Sequence, residues 1–380
     1  MTERPSPPGT ASSAATTSNT HGAGGSLSPW RASSPARRSG PEGVCQLSIS
    51  APKPAIAGWK HAKSWAYSIT YDEALADLDQ FVLRVHHELG LPGHVEVVAS
   101  QIGQVRDVGG SSYDGYRHMA ADELRNIAAA GWGIGCHSWS HQRVMDDPDL
   151  ELRVARETIE QAVGVPVTVF TAPGSNDNLT PEVVERLSGS GYLAGMSITD
   201  DINRVDGDAL PWVNRVPLHE RYWGVFDSAF DPWKRLRQAQ VEHGWIVDYC
   251  HCPLETAAHD YKDCTAAHHR ERLEAVVSEG GAECWYANPD DVIDYLHLKR
   301  HTRIEPCGSG FRVSIEALPE RVQRRELTFE ISGVLAPEAL SVQVDGAAVT
   351  LFGPRAGCAA FTAGVRDGTI IAVADGRLRG

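Results

Sequence analysis

The 380-residue sequence has no run approaching the ~20 consecutive apolar residues of a bilayer-crossing helix, so no helical membrane span is expected. It also lacks an excess of positive charge: 35 Lys and Arg against 49 Asp and Glu leave a formal net charge of -14. Phosphate-rich partners call for a basic face, so neither nucleic acid nor an anionic membrane is an expected partner, and an uncharged substrate such as carbohydrate fits better. No internal repeat is visible. The eight cysteines are not spaced as a disulfide scaffold and read as buried thiols in a reducing compartment. One group is denser: Cys250, His251, Cys252, His259, Cys264, His268 and His269. A structural zinc site there is conceivable, but the gaps are not those of a zinc finger. Residues 1–43 are dominated by Ser, Thr, Pro, Ala and Gly, with Trp30 the only Phe, Tyr or Trp, and they cannot bury enough surface to offset their ordering entropy. A disordered tail is expected. No apolar region follows Arg37-Arg38, so a secretory signal is missing and the cytoplasm is the default location; a misplaced start codon would also explain such a tail.

What is present is an alternation of strand-like and helix-like stretches. Trp65 to Tyr71 is aromatic and β-branched, and runs into Asp72-Glu73 before Leu75, Leu78, Val82 and Val85 recur at helical spacing. His94 to Ser100 reads as a strand, followed by a Gly- and Asp-rich loop through Gly109-Gly110 and Asp114-Gly115. Residues 121–130 read as a helix, and the next strand ends at His137-Ser138-Trp139-Ser140-His141. Residues 149–163 are helical in pattern, 165–170 a strand, and Thr171-Ala172-Pro173-Gly174-Ser175 a turn beyond its end. Thr180-Pro181 opens another helix, with Thr as cap and Pro in the first position. Strands follow at 192–198, 214–218, 245–250 and 283–287, and helices at 231–243, 266–278 and 289–299. About seven such units in about 240 residues describe an incomplete (β/α)7-type barrel over residues 44–301, an architecture that gathers reactive groups at the carboxyl ends of its strands. Asp72, Glu73, His137, His141, Pro173-Gly174 and His251 all fall at such ends. From 302 to 380 the texture changes to β-rich runs at 311–315, 327–331, 340–344 and 369–373, with Asp345-Gly346 and Asp367-Gly368 offered as hairpin turns. This segment reads as a small all-β sandwich, for packing or for sugar contact.

In His137 and His141 the sequence has two imidazoles four residues apart, which a helical turn would place on one face. They are either metal ligands or ordinary histidines at a helix start. Two imidazoles, a carboxylate and an open position suit zinc or a similar divalent ion, which lowers the pKa of bound water. Asp72-Glu73 supplies two acids, or else a helix-start pair favoured by the macrodipole. His251 is a candidate proton donor, or a satisfied histidine at a strand end, and backbone N–H groups at Pro173-Gly174 could bind an oxyanion.

Together these residues resemble the polysaccharide deacetylase family, over residues 60–300. Thr70-Tyr71-Asp72-Glu73 is similar to the first motif, Thr-Phe-Asp-Asp-Gly. His137-Ser-Trp-Ser-His141 matches the second, His-Ser-x-x-His, and Phe170-Thr-Ala-Pro-Gly-Ser175 resembles the third. Tyr249-Cys250-His251 looks like the last, Leu-x-His. The resemblance implies that Asp72 is the catalytic base, that Glu73, His137 and His141 hold a divalent metal, zinc first among the candidates, and that His251 is the catalytic acid. The departures are local. Glu73 replaces Asp, Ala74 replaces Gly, Gly174 replaces Tyr, and Thr171 stands where an Arg normally holds the catalytic Asp, so Asp72 keeps a less depressed pKa unless another arginine, Arg143 or Arg215, substitutes. Asp200 or Asp201 with Trp212 is the nearest counterpart of the fourth motif. The expectation is metal-dependent removal of an acetyl group from an N-acetylated carbohydrate. Two alternatives stand beside it: an allantoinase-like hydrolase of a small cyclic amide, and a barrel that binds glycan without turning it over.

Overall fold

The computed structural model describes residues 54–375, apart from 108–111, 206–209, 224–230, 309 and 334–338. The tail 1–43, Cys45 and the Gly109-Gly110 pair lie outside the described residues. The first nine strands are β1 (Pro54–Ile56), β2 (Trp65–Asp72), β3 (His94–Val97), β4 (Gly133–Cys136), β5 (Val169–Thr171), β6 (Ala194–Met196), β7 (Val216–Pro217), β8 (Trp245–Cys250) and β9 (Cys284–Tyr286). Helices α1 (Leu78–Leu89), α2 (Ala121–Ala129), α3 (Ala155–Val163), α4 (Pro181–Leu187), α5 (Lys234–Glu242), α6 (Ala266–Gly280) and α7 (Pro289–Arg300) alternate with them.

Strands β2 to β9 form one parallel sheet in the order β6-β5-β4-β3-β2-β8-β7, with β9 against the start of β2. Met196 at the end of β6 bridges Val213 just ahead of β7, so the sheet curls toward closure as an incomplete barrel. Strand β2 lies at its centre, and all eight of its residues are buried. Ser68, Thr70 and Asp72 alternate with Tyr67, Ile69 and Tyr71, yet a parallel strand covered on both faces buries the polar set as fully as the apolar one. Helix ends are set locally: α1 stops at Gly90 (φ 66°), α4 starts with Pro181 after Thr180, and Thr265 Oγ1 accepts the His268 N–H to cap α6.

A polar bolt fixes the amino-terminal end of the barrel. His94, fully buried, contacts Glu96 Oε1 at 2.7 Å and Asp290 Oδ2 at 3.0 Å, and Thr168 Oγ1 donates to Asp290 Oδ1 at 2.8 Å. Burial opposes a charge on His94, but the two carboxylates outweigh it and hold its pKa up at about 10. The bolt explains glycine in β4: a Cβ at Gly135 would stand 2.0 Å from Glu96 Oε2, and one at Gly133 2.1 Å from His94 Cδ2.

The C-terminal strands are β10 (Thr302–Cys307), β11 (Gly310–Ile315), β12 (Glu326–Ser332), β13 (Leu340–Val344), β14 (Ala347–Ala348), β15 (Phe352–Arg355), β16 (Cys358–Gly364) and β17 (Ile370–Asp375). They build two antiparallel sheets, β1-β12-β16-β15 and β10-β11-β17-β13-β14. Strand β1, far away in sequence, therefore lies in the C-terminal region, its Pro54–Ile56 paired with Phe329–Ile331. Asp345-Gly346 does turn β13 into β14, with both residues at positive φ. Asp367-Gly368 is not a hairpin turn. It carries the chain from β16 in one sheet to β17 in the other. Trp245, Trp285, Val292 and Tyr295 of the barrel side share one buried cluster with Phe329 and Phe361 of the sheets.

Candidate active site

The carboxyl ends of β2, β4 and β8 assemble the site. In register, Tyr71 of β2 lies beside Cys250 of β8, so the residues that follow them, Asp72 and His251, emerge next to each other. Asp72 is buried and gripped in bidentate fashion by Arg215, with Nη1 to Oδ1 at 2.6 Å and Nη2 to Oδ2 at 3.1 Å. Arg215 also donates to Thr70 Oγ1 and to the Ser197 carbonyl, and its guanidinium lies 4.3 Å from the Tyr249 ring centre. Burial alone would raise the Asp72 pKa; Arg215, with His137 and His251 behind it, overcomes that and lowers it to about 2. Arg215 is thus the cation that Thr171 fails to provide. Arg143 is not: it is exposed, 3.9 Å from Asp146. Asp200 and Asp201 both pair with Arg235 of α5.

His137 follows β4 and hands its Nδ1 hydrogen to the Thr171 carbonyl at 3.0 Å, which leaves Nε2 as the free lone pair of the neutral ring. Burial lowers the His137 pKa to about 4 and that of His141 to about 2. The two rings lie 4.9 Å apart between centres, although the segment is not the expected helical turn. It is an irregular bend with Ser138 (φ 69°) and His141 (φ 60°) in the left-handed region. Glu151, which no motif in the sequence marks, holds that bend: its carboxylate accepts the Trp139 and Ser140 N–H groups at 3.0 Å each and the Ser140 hydroxyl.

His251 stacks on Tyr113, ring centres 4.7 Å apart and 19° from parallel. Asp263 accepts the His251 and Cys252 N–H groups on Oδ1 and the Tyr113 hydroxyl on Oδ2, and lies 3.8 Å from His251 Nδ1. Neither Tyr113 nor Asp263 had a signal in the sequence, since each is one polar residue in an irregular loop. The Pro173-Gly174 turn follows β5, the strand beside β4. Gly174 takes φ 68°, and the turn closes on itself through Ser175 N to the Pro173 carbonyl.

Glu73, buried and left-handed at φ 72°, meets a partner nothing in the sequence announced. Arg106, 2% exposed, sets Nη1 2.5 Å from Glu73 Oε2. The other oxygen, Oε1, is 3.7 Å from His141 Nε2. Burial raises the Glu73 pKa, against the pull of His251 and Arg106. The two imidazoles therefore suit a divalent ion, but the carboxylate that should complete the set is turned to a guanidinium. Among the described residues no group of three or more His, Cys, Asp and Glu side chains is arranged to hold a metal. Glu73, His137 and His141 come together without fitting that ion as a three-ligand set.

In the Cys and His cluster, His268 Nδ1 contacts Glu220 Oε1 and His269 Nε2 contacts the Tyr71 hydroxyl, while Cys250 and Cys264 lie against each other and, like Cys252, are buried free thiols.

Residues 60–192 match the family model described as polysaccharide deacetylase, a span that holds Asp72, Glu73, Arg106, His137, His141, Pro173 and Gly174. Over those residues the chain is similar to polysaccharide deacetylases. A provisionally named polysaccharide deacetylase from Mycobacterium smegmatis is 18% identical, with a TM-score of 0.42 over 65% of this chain and 95% of that one. IcaB from Ammonifex degensii is 19% identical, with a TM-score of 0.35 over 41% of this chain and 69% of that one. A polysaccharide deacetylase from Bacillus cereus is 17% identical, with a TM-score of 0.32 over 39% and 46% of the two chains. No curated protein matches. Arg215 and His251 lie beyond the matched span; Arg215 meets it at Thr70 and Asp72, and His251 meets it at Tyr113 and through the pairing of β2 with β8. No helix among the described residues is long and apolar enough to cross a membrane.

Proposed function

We propose that this protein is a hydrolase that removes an acetyl group from an N-acetylated carbohydrate. The observation that carries the reading is the emergence of Asp72 and His251 side by side from the paired strands β2 and β8, one an ionised carboxylate and the other an imidazole backed by Asp263 and Tyr113. Asp72, kept charged by Arg215, takes a proton from the attacking water as the new C–O bond forms at the acetyl carbonyl. His251 delivers a proton to the amine as the C–N bond breaks, giving acetate and the free amino sugar. Pro173-Gly174, one strand over, is the candidate backbone donor to the oxyanion. The net charge of -14 suits an uncharged carbohydrate substrate. Activation of the water is assigned to Asp72 alone, since Glu73, His137 and His141 do not fit a divalent ion as a ligand set.

The test is acetate release by the full chain from N-acetylated amino-sugar oligomers, with O-acetylated xylan and a cyclic amide alongside. Acetate from the amino sugar alone supports the reading. Ring opening of the cyclic amide with no acetate would replace it by the allantoinase-like alternative, and binding of the oligomer without turnover by the glycan-binding one.

A further inference from the structure

From the charge arrangement at the carboxyl ends of the barrel strands, we infer that the guanidinium of Arg106 is the resident cation of this cleft, standing in the place a divalent metal would need, and that it holds Glu73 as its counter-ion. This rests on the reading above only in locating the cleft as the site of hydrolysis. Arg106 is no wandering surface side chain. Its backbone is stitched at both polar groups, its N–H to the Tyr116 carbonyl at 2.7 Å and its carbonyl to the Gly115 N–H at 2.9 Å. Antiparallel bridges join Val105 to Arg117 and Leu75 to His118, which tie this loop to the segment just after Glu73. A buried guanidinium stays charged and needs a carboxylate beside it. Glu73 at 2.5 Å is that carboxylate.

Each carboxylate at the end of β2 is matched by a buried guanidinium, Asp72 by Arg215 and Glu73 by Arg106, and Asp263 behind His251 is a third buried carboxylate of the cleft. A divalent ion added beside Glu73 would meet the Arg106 guanidinium in a space with little water to screen the two, a large penalty. In a cleft without Arg106 the same ion would meet an unpaired Glu73. The left-handed backbone at Glu73 and Ala74 fits this assignment: two consecutive non-glycine residues at positive φ are strained, and here they turn Glu73 to the loop that carries Arg106.

The experiment is calorimetric titration of Zn2+ into the metal-stripped full-length protein, comparing wild type, Glu73→Gln, Arg106→Met and the double variant. The expected result is weak zinc binding by the wild type that Glu73→Gln leaves unchanged, and binding by Arg106→Met tighter by about tenfold or more, the scale on which groups touching a ligand set alter metal affinity. Adding Glu73→Gln to Arg106→Met should abolish that gain. Tight, stoichiometric zinc in the wild type that Glu73→Gln weakens would overturn the inference, as would an Arg106→Met protein that is folded and gains nothing. The wild type and Glu73→Gln decide the matter even where Arg106→Met does not fold. Acetate release is scored separately: tight zinc with acetate release overturns the resident cation and leaves the proposed function, while weak zinc without release does the reverse.

Discussion

Arg215 shows how much one side chain can determine. It belongs to none of the segments that resemble family motifs, yet it sets the protonation of Asp72 through two hydrogen bonds. The folded Asp72 pKa, about 2, is below the ordinary 3.8, so its ion pair contributes stability above about pH 3.8 that is lost as the pH falls through about 2. Replacing Arg215 with Met should leave a buried carboxylate uncompensated, at a cost of about 3–5 kcal/mol in urea unfolding at pH 7. In the same variant the acid limb of kcat/KM should move to higher pH, because Asp72 loses the cation that kept it ionised. An unchanged limb together with full stability would show that Arg215 does not govern Asp72.

At the scale of elements, parallel strands were legible because a buried strand and the helix after it have different periods: β2 and β8 fall in aromatic and β-branched runs, and β4 falls in the apolar run that leads to His137. Strand ends were legible too, which is why Asp72, Glu73, His137, His141 and His251 could be picked as one group. Loop residues were not. Arg106, Tyr113 and Asp263 have no periodicity to betray them, Glu151 sits unmarked in a helical stretch, and each acts through a contact that only the folded chain creates. The His137–His141 bend illustrates the difference: four-residue spacing suggests a helical turn, but the carboxylate of Glu151, by taking two successive backbone N–H groups, favours a left-handed bend. Glu151→Ala should therefore leave those N–H groups unpaired, lowering stability by about 1–3 kcal/mol. Acetate release should drop with it, since both imidazoles hang from that bend. Chemical denaturation together with the acetate assay checks the pair of effects.

Across the whole molecule, the barrel and the C-terminal sheets are joined by one apolar cluster that runs from Trp245 and Trp285 through α7 to Phe329 and Phe361, and by β1, after which the chain leaves the sheets to enter the barrel. Shared packing of this kind should make the described region unfold as one unit. Phe329→Ala is expected to cost about 3–5 kcal/mol and to shift the tryptophan-fluorescence and far-UV transitions together. Two separated transitions would show the parts to be independent. The C-terminal β-rich region was visible in the sequence as a change of texture, but its partner strand β1 was not, because three residues carry too little pattern to assign. The chemistry attributed to the molecule comes down to the neighbours Asp72 and His251, and the most direct measurement is acetate release from an N-acetylated amino-sugar oligomer by the wild type, Asp72→Asn and His251→Ala. The account expects release by the wild type and a loss of about 10²–10⁴-fold in each variant with the fold intact. Release by Asp72→Asn or His251→Ala at the wild-type rate would contradict it.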